Sequence, residues 1–140
     1  MVKVNSYKSI SLDTNIFIYY FQKHPQFGPI TENLFQYLSK SRTEVTTTSI
    51  SLTETLAVKA PLTLINLLQQ EFLSIPFLNI IPVNNDIAVT AARIRRNNNF
   101  SLPDAIQLAT AVSAKAKVFI TNDDRLKNFK ELKTILLKDL

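Results

Sequence analysis

Ser101-Leu102-Pro103-Asp104-Ala105-Ile106-Gln107-Leu108-Ala109-Thr110-Ala111, followed shortly by Val118-Phe119-Ile120-Thr121-Asn122-Asp123, carries the clearest structural signal in the chain. Leu102 to Ala114 reads as a helix, and Val118 to Thr121 as a buried strand. Asp104 follows Pro103 in the first helical turn, where an aspartate gains from the helix dipole. Asp123 and Asp124 follow the strand after Asn122.

Outward from this unit the same alternation repeats. Ser9-Ile10-Ser11-Leu12 alternates in polarity and predicts a strand ending near Asp13, followed by a short helix through Ile16, Phe17 and Tyr20 and a turn around Pro25 and Gly28. Pro29 suits a first helical position, and Ile30, Leu34, Tyr37 and Leu38 recur at helical spacing. Glu44 to Thr48 is β-branched and predicts a strand; Ser49 or Ser51 would then cap a helix containing Glu54, Leu56 and Val58. Pro61 restarts a helical pattern through Leu64, Leu67, Leu68 and Phe72. Phe77 to Val83 predicts a third strand, with Pro82 favouring a sheet edge. Asp86 is the expected cap of a helix facing inward through Ile87, Ala88, Ala91 and Ile94, and Thr134 to Leu137 a last strand. Strands alternating with helices imply a three-layer α/β/α sandwich, a single domain over residues 1–140 with a central, mostly parallel five-stranded sheet.

The composition removes whole classes of chemistry. Gly28 is the sole glycine in 140 residues, so glycine-built phosphate loops are excluded. Without cysteine there are no thiolates, disulfides or zinc-thiolate sites, and one histidine, His24, cannot build a multi-histidine metal centre. His24 sits in a turn with no evident carboxylate to orient it, and reads as a surface residue rather than a general base. No apolar run is long enough to span a membrane and no signal peptide is visible, so the expected location is cytoplasmic. The net charge of +5 and pI near 9.6 favour a polyanionic or acidic partner without choosing among RNA, DNA and protein.

In a parallel α/β sheet the strand C-termini and helix N-termini share one rim, where ligands bind. Asp13, Glu54, Asp104, Asp123 and Asp124 all fall on that rim. Two charges about 4 Å apart repel by about 4 kcal/mol at an effective dielectric of 20, so a compensating cation is expected. All-oxygen ligation selects Mg²⁺ or Mn²⁺, and the chemistry so implied is metal-assisted phosphoryl transfer. Each acid also has a structural alternative. Glu54 completes Ser51-Leu52-Thr53-Glu54, a capping box in which it would bind the Ser51 amide. Asp104 can serve the helix dipole, and one of Asp123 and Asp124 a turn. Asp13 is expected to have no capping duty.

Together, Ser11-Leu12-Asp13-Thr14-Asn15, Thr48-Ser49-Ile50-Ser51-Leu52-Thr53-Glu54, the Asp104 helix and Val118 to Asp123 resemble the PIN-domain ribonucleases, and within them the small VapC-like toxins of toxin–antitoxin pairs. The resemblance implies that Asp13, Glu54, Asp104 and Asp123 bind one or two Mg²⁺ or Mn²⁺ ions and hydrolyse an RNA phosphodiester with water as nucleophile. It implies supporting hydrogen bonds from Asn15 and Thr121, with Thr14 and Ser49 as weaker candidates. It also implies a homodimer neutralised by an antitoxin protein.

Arg93, Arg95 and Arg96, and Arg125 with Lys127 and Lys130, are either leads for an RNA backbone or solvated charges at element ends. Two rival functions stand beside the nuclease. One is an inactive PIN-like scaffold that binds RNA or protein; the other is an aspartyl-phosphate domain, disfavoured because Asn15 stands where a D-x-D motif needs its second acid.

Overall fold

The computed structural model describes residues 4–140. Five short strands, β1 (Ser9–Leu12), β2 (Glu44–Thr48), β3 (Leu78–Ile81), β4 (Val118–Thr121) and β5 (Lys133–Leu136), form one sheet in the order β3-β2-β1-β4-β5. Every pairing is parallel, where the sequence pattern predicted mostly parallel. β3 takes an edge, as Pro82 favoured, and ends at Ile81, just before that proline, which has no amide to donate.

Six α-helices connect or flank the strands: α1 (Thr14–Phe21), α2 (Gly28–Lys40), α3 (Ser49–Leu56), α4 (Leu62–Leu73), α5 (Asn85–Asn97) and α6 (Leu102–Ser113). The strands divide their side chains between two cores. Val118 and Ile120 point with Ile10, Leu12, Phe17 and Leu34 into one layer, while Phe119 between them packs with Ile87, Ile94, Leu108 and Ala109 in the other. Burial on both faces is why these strands read as near-continuous apolar runs.

Several local expectations need correction. Thr48, not Ser49 or Ser51, caps α3, its hydroxyl accepting the Ile50 amide at 3.3 Å. β2 runs into α3 without a loop, so the cap falls on the last strand residue, and Val58 lies beyond the helix. Asn84 caps α5 through the Ile87 amide at 2.9 Å, which moves Asp86 into the first turn. The last strand begins and ends one residue earlier than predicted, with Leu137 buried in a closing 3₁₀ turn.

α4 differs most. Its period is helical, yet only Phe72 is buried, inserted against Phe17 with ring centroids 4.7 Å apart. Leu62, Leu64, Leu67 and Leu73 stand exposed, Leu62 by 72%. Helical spacing identifies a helix but not whether a second layer covers it. His24 is structural: its Nδ1 accepts the amides of Gln26 and Phe27 at 3.2 and 3.1 Å, and its ring packs on Tyr19 and Phe27.

Candidate active site

The strand order reverses between β1 and β4, the position where open α/β sheets leave a crevice beyond their carboxyl ends. Asp13 follows β1 at that point, and Thr121 closes β4. The Asp13 amide extends the ladder to the Ile120 carbonyl at 2.9 Å, which sets the two side chains next to each other. The Thr121 hydroxyl donates to Asp13 Oδ2 at 2.6 Å. Asp13 Oδ1 accepts the Thr14 amide at 2.8 Å, so this aspartate caps α1, contrary to the expectation that it had no such duty. The cap arises because β1 passes directly into α1.

Asp13 is 6% exposed. Burial pushes its carboxyl up from 3.8 to about 7; hydrogen bonds from Thr121 and Thr14 hold it down, and the charges of Asp104 and Glu54 raise it further. Asp13 therefore lies within electrostatic reach of two of the other rim acids.

Asp104 stands in the first turn of α6, its amide donating to the Ser101 hydroxyl at 3.3 Å. Asp123 follows β4 and caps a 3₁₀ turn over Asp124–Asn128 by accepting the Arg125 amide at 3.0 Å. The Arg125 guanidinium joins the two acids: its Nη2 lies 2.5 Å from Asp123 Oδ2 and 3.3 Å from Asp104 Oδ2. Its hydrogen bonds hold the Asp123 carboxyl below the ordinary aspartate range. Asp124 turns outward, 68% exposed, and pairs with Lys138 at 3.3 Å. The two members of the doublet thus part, and Asp123 is the one that shares a partner with Asp104.

Glu54 does not form the capping box. Ser51 is interior to α3 and buried, and Glu54 Oε1 accepts the Thr14 hydroxyl at 2.7 Å. Beneath it lies a buried polar cluster that the sequence did not announce. Gln107 Nε2 donates to Thr14 Oγ1 at 2.6 Å and Ser51 Oγ at 2.9 Å. Ser51 and Thr47 are 2.8 Å apart, and Thr47 donates to the Leu12 carbonyl at 2.9 Å. The available signal was a glutamine among the buried α6 residues Ala105, Leu108, Ala109, Thr110 and Ala111, where the only other polar side chain, Thr110, satisfies itself on the Ile106 carbonyl.

Asn15 reaches Thr121 through Nδ2 at 3.4 Å, and its Oδ1 is buried without a partner. Ser49 makes no side-chain bond to an acid; its carbonyl accepts the Thr53 hydroxyl. Arg93 is engaged by Glu131 through paired bonds of 2.8 and 2.9 Å on the surface, which removes it as a free lead for a phosphate chain. Arg95 and Arg96 are exposed in the last turn of α5.

As the side chains stand, no three acids among the described residues close on a common point. The donor chemistry nonetheless fits a hard divalent cation. The rim offers carboxylate oxygens with no thiolate or imidazole; Asp13 is buried with too little positive charge beside it, and Asn15 Oδ1 has no donor. Arg125 spans Asp104 and Asp123 as a cation between carboxylates must.

A family model described as PIN domain matches residues 10–132. The chain belongs to the PIN-domain family. Its fold recurs in a chain of VapBC2 from Rickettsia felis, bound to a DNA fragment from its promoter, with TM-score 0.74, 21% identity and coverage of 91% of this chain and 98% of that one. A toxin–antitoxin complex from Klebsiella pneumoniae superposes with TM-score 0.69 at 22% identity, covering 94% and 99%. FitAcB from Neisseria gonorrhoeae gives TM-score 0.70 at 19% identity, covering 94% and 98%. No curated protein matches the sequence. PIN-domain proteins are nucleases, which supports a hydrolase acting on nucleic acid.

Proposed function

We propose that this PIN domain is a Mg²⁺- or Mn²⁺-dependent endoribonuclease, the toxin of a toxin–antitoxin pair. The observation that carries the reading is Asp13, buried at the β1/β4 crevice in the field of Asp104 and Glu54, with Arg125 bridging Asp104 to Asp123 beside it. Asp13, Glu54, Asp104 and Asp123 would hold the ion, which supplies an activated water and charge stabilisation for the phosphoryl group.

The chain's own residues supply the rest. Thr121 and the Thr14 amide hold Asp13 in one orientation through its two oxygens, which leaves their remaining lone pairs for a ligand. Thr14 does the same for Glu54. Arg125, 65% exposed on its side chain and on a flexible stem, would be the guanidinium available to the phosphate of a strand if the carboxylates held an ion instead. The rim is open to solvent at Glu54 and Arg125, as a polymeric substrate requires.

The described complexes with antitoxins support a protein partner for this chain as well. Apolar surface is exposed at the α4 leucines and in a groove between α1, α2 and α4 lined by Tyr20, Phe21, Phe35, Ile75 and Phe77. A patch of this kind on a chain of this size marks an association surface. We assign the α4 leucines to the homodimer. Sedimentation of the purified protein is expected to give a dimer, and Leu64→Asp with Leu67→Asp a folded monomer; a monomeric wild type would contradict the assignment.

The functional reading is tested with purified protein and single-stranded RNA. Cleavage is expected with Mg²⁺ or Mn²⁺, is lost on chelation and returns when the ion is restored. Metal-insensitive RNA binding without turnover would instead support a scaffold.

A further inference from the structure

The hydroxyls beneath Glu54 must decide where their protons go, and one side chain decides for them. Thr14 Oγ1 lies 2.7 Å from Glu54 Oε1 and 3.1 Å from Ser51 Oγ, with a single proton to give. Ser51 faces Thr14, Thr47 and Gln107, also with one proton. Thr47 spends its own proton on the Leu12 carbonyl at 2.9 Å, so Ser51 must donate to Thr47 to avoid two lone pairs meeting at 2.8 Å. Gln107, 2% exposed, then fixes the remainder. With its amide nitrogen toward the pair, both N–H groups are used, on Thr14 at 2.6 Å and Ser51 at 2.9 Å. Both hydroxyls accept there, and the Thr14 proton is left for Glu54. With its carbonyl toward the pair, Thr14 would have to donate to Gln107 and present a lone pair to the Glu54 carboxylate at 2.7 Å, a repulsive contact.

We propose that Gln107 is a positioning residue: it orders this buried hydroxyl chain so that Thr14 always donates to Glu54, fixing that carboxylate for cation binding. The inference rests on the metal reading of the rim. It explains why an amide occupies the buried face of α6, and why the otherwise exposed Glu54 has an anchored oxygen. Gln107 acts through Thr14 and touches no carboxylate itself.

The test is Mn²⁺ affinity, measured by electron paramagnetic resonance on purified variants whose folding is checked by circular dichroism. Gln107→Leu and Thr14→Val are each expected to weaken Mn²⁺ binding by roughly 10-fold or more, the usual effect of losing such a partner, while Thr14→Ser stays close to wild type. Because Gln107 works through the Thr14 hydroxyl, Gln107→Leu added to Thr14→Val should cost nothing further. Independent, additive losses would overturn the relay, as would wild-type affinity in folded Gln107→Leu. If Gln107→Leu does not fold, the contrast between Thr14→Val and Thr14→Ser decides: equal affinity in the two overturns the proposal. A wild-type chain that binds no Mn²⁺, with Asp13→Asn indistinguishable from it, would defeat the metal reading itself and the relay with it.

Discussion

Asp13→Asn and Asp104→Asn should each lower RNA cleavage by roughly 10³-fold or more, equivalent to about 4 kcal/mol of transition-state stabilisation, while both variants remain folded. Asp13 has the stronger case. It is the acid at the strand-order reversal, buried at 6% exposure and fixed through both oxygens. An asparagine keeps the α1 cap, since its oxygen still accepts the Thr14 amide. Its nitrogen meets Thr121, whose hydroxyl turns to accept, at the expense of the long 3.4 Å bond from Asn15. What is lost is the charge. Asp104→Asn likewise leaves the Ser101 cap in place, because that bond uses the Asp104 amide rather than its carboxyl. Initial rates of cleavage, with circular dichroism as the folding control, measure the effect; near-wild-type rates in both folded variants would remove these acids from the chemistry.

The metal-free protein should lose stability as the pH rises toward neutrality. The folded-state pKa of Asp13 is raised from 3.8 to about 7, so the native chain binds this proton more tightly than the unfolded chain does. Its contribution is greatest below about pH 4, falls as the pH climbs through the folded value and is gone above it. The carboxyls of Asp123 and Glu131 are lowered by arginine partners and have the opposite sign, but their stabilisation is lost only as pH falls below the ordinary aspartate and glutamate range. Asp13 therefore dominates between about pH 4 and 7. Between about pH 5 and 7.5 the change is on the order of 3 kcal/mol, or roughly 10 °C in Tm for a chain of this size. Thermal unfolding in chelator at about pH 5 and about pH 7.5 should show it. Saturating Mn²⁺ should restore stability at the higher pH, because the ion binds the ionised form. Asp13→Asn should show neither the pH slope nor the rescue; an identical slope in that variant would assign it to another group.

The residues also show which parts of this molecule were legible in one dimension. The α6–β4 unit and Ser11-Leu12-Asp13 could be read because helical period, an apolar run and the acid at its end are local features. The edge position of β3 was readable from Pro82. Caps were less so: Thr48 and Asn84 displaced Ser49, Ser51 and Asp86, because any of several neighbouring polar residues satisfies the same local rule. The α4 leucines kept their helical spacing but revealed nothing of whether anything covered them.

For the site, the four acids could be placed on one rim from topology alone, but their roles could not. The Asp13–Thr121 bond depends on the register of β1 against β4, and the Glu54–Thr14 bond on how α3 leans over α1. Gln107 joins residues far apart in the chain, so no spacing rule reaches it. The separation of Asp123 from Asp124 required the 3₁₀ turn that follows β4.

These carboxylates are expected to hold a divalent cation. A crystal soaked in Mn²⁺ and measured at the manganese absorption edge tests it directly. An anomalous peak is expected among Asp13, Asp104 and Asp123, with Arg125 displaced from between the last two. A saturated soak that leaves Arg125 bridging Asp104 and Asp123, with no anomalous peak at the β1/β4 crevice, would contradict it.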